Sequence, residues 1–294
     1  ATRFHPLLGE ALRAIVERER DPAELRRLHA RLASAEDEPA AAIEHWLSAE
    51  EWGSAIAALL GAPELVVSSP ERVRTWIDRL PEEKRDEPGL LVVRAQLARA
   101  EGEHRTVVGL LTRAVEAFGD ADGFAPWMAR FELTMAMFLN AQFEEALPFA
   151  EGFEEASPEA GPVPPAAALS TAIALAGVGR MGDSDELAAR ANQHPMAAML
   201  APLEALRRCH VDVPAGRMAE LPGLLEAAIE TTESLDPMSM RPYLHAGWAM
   251  VEDDMGNLDR ALELWARSAQ VAAGGLSEFV TLTARAWRAI LSAE

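Results

Sequence analysis

MGNLDRALELWARSAQ, residues 255–270, reads as a turn followed by a helix. Gly256 marks a break, Leu258 opens an apolar run, Ala261 is small, and Trp265 and Ser268 follow at helical spacing. A small residue one turn after a large apolar one, just past a glycine, lets two helix backbones approach at the mouth of a hairpin. The same arrangement recurs. EEWGSAIAALL (50–60) has Trp52 then Ala55, and AQFEEALPFAEGF (141–153) has Phe143, Ala146 and Phe153. GEHRTVVGLLTRAVEAF (102–118) carries Gly102, His104, Val107, Leu111 and Ala114, while GDSDELAARA (182–191) is a weaker copy with Ser184 and Leu187. A poorly marked copy surrounds Met218 and Leu221.

Each copy is preceded by a helix-length segment: 38–48, 88–101, 124–140, 165–178, 195–211 and 238–254. One antiparallel pair cannot bury its apolar face alone, so successive pairs must stack. The fold class expected is all-α, a superhelix of antiparallel helix pairs. The pattern resembles the tetratricopeptide repeat, with a spacing near 40 residues against roughly 34 for the standard form, so longer helices and an irregular superhelix are expected. An additional helix is expected in SPERVRTWIDRLP (69–81), with Ser69 as N-cap and Pro70 at N1.

Composition agrees and excludes several alternatives. The 294 residues are 49% apolar and 25% charged, rich in Ala, Leu, Glu and Arg, a mixture that favours helix and a folded core. The net charge of −20 repels phosphate backbones, and the Arg-rich stretch 13–27 is interleaved with Glu and Asp, so direct nucleic-acid binding is not expected. The longest uncharged run, AGPVPPAAALSTAIALAGVG (160–179), has three prolines crowding its start and is expected as a buried helix, not a membrane span. A single cysteine, Cys209, excludes an internal disulfide and a CxxC metal site and fits a reducing compartment; with no signal-peptide profile, the expected location is cytoplasmic.

Three local features go beyond a generic repeat. Phe4-His5-Pro6-Leu7 is followed by one arm motif, Ala42-Ile43 with His45, Trp46 and Leu47 running on to Trp52 with Ala55, and then by Trp76-Ile77 with Leu80-Pro81. Their order and spacing resemble the region after the ATPase core of MalT-type regulators, signal-transduction ATPases that end in a LuxR-type helix-turn-helix. The resemblance covers residues 3–118 by motif and the remainder by architecture. It implies three segments: the end of a winged-helix part (1–20), a helical arm (21–81) and a tetratricopeptide-like sensor superhelix (82–294). It also implies that His5 matches the histidine that helps hold ADP in the resting state. The chain departs from the family in having no GxxxxGK[ST] loop and no DNA-reading helix-turn-helix, since 277–292 reads as one amphipathic helix. ATP or ADP would therefore belong to an ATPase module outside this sequence, and no cofactor is expected within it. The partners implied are a small-molecule inducer, the protein's own ATPase module and other proteins, with no membrane.

A candidate binding surface follows from the register. Phe124, Met128, Phe131, Met135 and Phe138 form one stripe, at steps of 4, 3, 4 and 3, on the first helix of the third pair. Counting back from the turn at Phe143 puts the stripe where a solenoid is lined on its concave side, and a Phe/Met wall suits an adaptable apolar or aromatic ligand. The competing reading is that the stripe packs against neighbouring pairs as core. The same register puts Gln96 and Arg99, Arg207 and His210, and Tyr243 and Met250 on the concave side, as polar or soft handles. Cys209 and His210 point about 100° apart on a helix and make no chelating pair, so no metal is expected. GDADG (119–123) reads as an inter-repeat turn because its glycine comes too early for a calcium loop. No GxSxG, HExxH, GxGxxG or carboxylate dyad is readable, and no enzymatic activity is expected. Two functions remain open: a sensor that encloses an inducer in a cavity lined by Phe131, Met135 and Phe138, or a scaffold that holds a peptide in an open, charged groove.

Overall fold

The computed structural model describes residues 20–101, 103–140, 142–150, 163–193, 200–233 and 240–272, and these are helical with no strand. The chain divides into two compact units, 1–86 and 87–294. In the first, α1 (Pro22–Ala35), α2 (Pro39–Ser48), α3 (Trp52–Leu60), α4 (Pro63–Ser68) and α5 (Pro70–Asp78) follow one another, then a single 3-10 turn. Among the described residues the second holds five pairs: α6 (Pro88–Ala100) with α7 (His104–Phe118), α8 (Phe124–Leu139) with α9 (Phe143–Ala150), and α10 (Val163–Gly177) with α11 (Met181–Asn192). The last two are α12 (Ala201–Asp212) with α13 (Leu221–Thr232), and α14 (Arg241–Asp254) with α15 (Leu258–Ala272).

The helix pairs expected from the opening motif are present. Within each pair the two helices pack together, and first helices also pack against the next first helix along the stack: α6 on α8, α8 on α10, α10 on α12, α12 on α14. Second helices begin at Trp52, His104, Phe143, Met181, Leu221 and Leu258, giving a period of about 40 residues through the second unit.

One hydrogen bond recurs at every hairpin. The amide of the sixth residue returns to the carbonyl of the first, from Glu51 to Trp46, Glu103 to Ala98, Gln142 to Met137, Arg180 to Leu175, Arg217 to Asp212 and Asn257 to Glu252, at 2.8–3.1 Å. That bond is the mark of a Schellman C-cap, whose penultimate residue must turn left-handed. Gly179, Gly216 and Gly256 do so with φ of 83°, 69° and 80°, and in the first hairpin Glu50 does so at φ 58°. The glycine of the opening motif is therefore a capping requirement.

The position three residues into the second helix is buried in every copy. Ala55, Ala146, Ser184 and Ala261 are fully covered, as are the larger Val107 and Leu221. Leu221 holds this place only if its copy is counted from Met218, one turn before α13 begins. Pro222 explains the late start: it has no amide to return to Met218, so the helix nucleates at Leu221 with proline in its first turn. Trp265 is buried, and Ser268 Oγ donates to Pro242 O of α14 at 2.8 Å, tying the last pair together.

The uncharged run of 163–177 forms α10, a helix with Leu169, Ala172, Ile173 and Ala174 all fully buried. Among the described residues no helix is long and apolar enough to cross a membrane. GDADG is a turn between α7 and α8, with Gly119 and Gly123 at positive φ and the Gly119 carbonyl accepting from Arg130 at 2.7 Å. The segment 69–81 contains α5 with Pro70 in its first turn, although Ser69 makes no side-chain cap bond. His5, the winged-helix segment but for its last residue, and the amphipathic stretch 277–292 lie outside the described residues.

Candidate functional site

In the first unit the motif residues build a polar clasp. Trp76 is 1% exposed, and its indole N–H donates to Glu44 Oε1 at 2.7 Å, while Arg79 donates to Glu44 Oε2 at 2.6 Å. Arg72 lies over the Trp76 ring at 4.8 Å. Partial burial alone would raise the Glu44 pKa; the bonds from Trp76 and Arg79 and the charges of Arg79 and Arg72 outweigh it and hold the carboxyl below its ordinary value. Ile43, Leu47, Ala55 and Leu80 are buried in the same unit, and His45 Nδ1 meets His29 Nδ1 at 2.9 Å.

In the second unit the expected Phe/Met wall lies in the core. Phe131, Met135 and Phe138 are at most 8% exposed and belong to one apolar cluster running from Trp127 to Trp265. Met135 Sδ accepts from Ser170 Oγ of α10, and Trp127 stacks on Phe131 at 5.2 Å. Met128 is half-buried against the same cluster, and only Phe124, 45% exposed, stands clear. The helix that carries the stripe is buried continuously from Phe131 to Leu139.

The expected polar handles are not gathered at one place. Gln96 and Arg99 of α6 are buried against α8, where Gln96 Nε2 donates to Glu132 Oε1 at 3.1 Å and Arg99 pairs with Glu132 Oε2. Gln96 Oε1 has no hydrogen-bond partner among the described residues. Arg207 is buried in α12 and grips Glu204 with both ends of its fork, reaching Asp185 at 2.7 Å and Ser184 at 3.3 Å on α11. Burial opposes its charge, and the Glu204 and Asp185 carboxylates overcome that and raise its pKa. His210 sits edge-on to Phe138 and Phe143, at 5.9 and 5.2 Å, and burial lowers its pKa. Tyr243 is half-buried beside the apolar cluster, and Met250 is 49% exposed.

Phe143 is the residue the register underrates. It covers Gly177 so closely that a Cβ there would lie 2.3 Å from its ring, so the end of α10 is shaped to receive it. Phe138, Phe143, Gly177 and His210 thus meet near the ends of three first helices. The neighbouring Cys209 is inert: burial, then the Asp212 charge, push its thiol up to about 12 against a smaller opposing effect of Arg208. Among the described residues no three His, Cys, Asp or Glu side chains are grouped to hold a metal.

Among the described residues, clefts open on the second unit. One of about 290 Å³ between α10 and α11 is lined by Thr171, Leu175, Arg180, Asp183, Glu186, Leu187 and Arg190. A second, of about 270 Å³, lies beside Phe143, Glu144, Glu145, Gly177 and Val178. A third, of about 490 Å³, is walled by Ile229, Glu233, Arg241, His245, Arg267, Gln270 and Val271. None of them is lined by Phe131, Met135 or Phe138. Sequence reasoning passed over Arg241 and His245, four residues apart on α14 as on any helix face, and Arg267 of α15, which joins them only in three dimensions. No protein-family model matches the chain, and no curated protein matches it.

Proposed function

We propose that the chain is a recognition module, the inducer-sensing and protein-interaction region of a MalT-type, LuxR-class transcriptional regulator acting in the cytoplasm. A small molecule held by the helix pairs would favour one arrangement of the repeats and loosen their contacts with the regulator's ATPase module, which then takes ATP. Such a molecule acts only through different affinities for the two arrangements. The observation that carries this reading is the order of parts. The pair α2–α3 supplies Glu44 to the indole of the W-I-x-x-L-P segment, and capped pairs of about 40 residues then stack in chain order.

A second reading, a scaffold that binds a peptide or protein without a small ligand, is favoured by a specific observation. The Phe131, Met135 and Phe138 side chains are enclosed by neighbouring helices, and the clefts lined by described residues are open and carry charged residues. Open charged grooves suit peptides better than enclosed apolar ligands. A thermal-shift panel of metabolites and peptides separates the two. Ligand bound to the folded state alone adds RT ln(1 + [L]/Kd) to stability. A saturable rise with a metabolite supports sensing, a rise with peptides only supports the scaffold, and no rise with either contradicts both.

A further inference from the structure

We infer that the cleft between α13, α14 and α15 binds a small organic carboxylate with an apolar body. The site lies apart from the Phe/Met stripe, and it rests on the recognition reading for its purpose. Two guanidiniums frame it. Arg241, in the first turn of α14, is held in place by the end of α13, donating to the Thr232 carbonyl and, at 3.3 Å, to Thr232 Oγ1. Arg267 of α15 is exposed and engages no carboxylate among the described residues. Between them His245 is 7% exposed, lines the cleft, and leaves its Nδ1 without a hydrogen-bond partner. A buried polar atom without a partner costs stability, so its persistence at the wall of a cleft points to a ligand that completes it.

The chemistry selects the ligand. A carboxylate matches the flat fork of arginine, and a neutral imidazole can donate to it. His245 is neutral at pH 7 because burial and then the charges of Arg267, Arg241 and Arg260 press its pKa down to about 4. Ile229 and Val271 supply apolar wall, and a volume of about 490 Å³ is far more than a compact inorganic anion fills. Among the described residues Glu233 is the only carboxylate lining the cleft, beside two arginines, on a chain of net charge −20. That overall charge repels polyanions while this cleft attracts a small acid.

The test is titration of the intact chain with benzoate, and with benzamide as its uncharged counterpart, at constant ionic strength. Binding is followed by calorimetry and by the His245 ring resonances at pH 7. Benzoate should bind saturably and move those resonances, and benzamide should do neither. Arg267→Ala should weaken benzoate by about tenfold or more, as expected for loss of a charge-assisted fork. Because Arg267 is exposed, the unliganded melting temperature should not change. Glu233→Gln should tighten binding, a gain that a misfolded variant cannot imitate. Absence of saturable benzoate binding, equal binding of benzamide, or undiminished binding by Arg267→Ala overturns the site. If benzoate fails while another compound of the metabolite panel stabilises the chain, the site is wrong and recognition stands.

Discussion

Glu50 carries the only positive φ outside glycine among the described residues, 58°, at a Schellman turn where the later hairpins use Gly179, Gly216 and Gly256. A side chain in that conformation costs about 1 kcal/mol relative to glycine. The contact it offers in return, to Arg26 at 3.4 Å, joins two exposed groups and is worth little. Glu50→Gly should therefore raise the stability of the first unit by about 0.5–1 kcal/mol in chemical denaturation. At Arg99 the balance runs the other way. Its guanidinium and the Glu132 carboxylate are each about 5% exposed, so neither charge has water to fall back on. Arg99→Met alone should cost about 3–5 kcal/mol by stranding the carboxylate, whereas Arg99→Met with Glu132→Leu should recover most of it. A double mutant no more stable than the single one would show that the pair does not act as a unit.

At the scale of the helix, the hairpins were legible in the sequence because their chemistry is local. A turn glycine, a large residue two places later and a small one three beyond that are all set within a dozen residues, as at Gly256, Leu258 and Ala261. Where two of those signals fail, the copy blurs: Leu221 is bulky, and Pro222 delays α13 by a turn. The short helix α4 gave no periodic signal over its six residues. The candidate site was less legible, because the stripe on α8 can be read as wall or as core until the neighbours of α8 are known. Packing across pairs decides it, and Phe143 on Gly177 is an instance no local pattern announces. Gly177→Ala should destabilise the second unit by about 1–3 kcal/mol, the usual cost of overpacking. Combining it with Phe143→Ala should remove the clash, so the cost of the two together should fall below the sum of the separate costs.

For the molecule as a whole, the groups that titrate in acid shift with one sign. His245 ordinarily titrates near 6.5 and here near 4, and burial lowers His210 as well. Between those values the unfolded chain binds protons that the folded chain refuses, so stability rises with pH through that window. It is fully present above about 6.5 and is lost as pH falls toward about 4. Glu44 adds a loss below its ordinary 4.5, as its clasp is protonated. Self-repulsion from the net charge of −20 relaxes in acid and opposes the trend, but salt confines it to about 8 Å at physiological ionic strength. The melting temperature should fall from pH 7 to pH 5, and His245→Gln should flatten that slope. A rise on acidification would assign the dominant role to net charge.

Stacked, capped pairs enclose the Phe/Met stripe, so the proposed recognition falls to the open clefts, and amide hydrogen exchange on the intact chain tests this packing most directly. Peptides spanning 124–139 should be among the slowest to exchange in the second unit, with fast exchange at the turns 119–123 and 255–257, and ligand should add protection at the clefts and not at α8. Rapid exchange across 124–139 that slows only when a ligand is added would make the stripe a cavity wall and contradict the packed core.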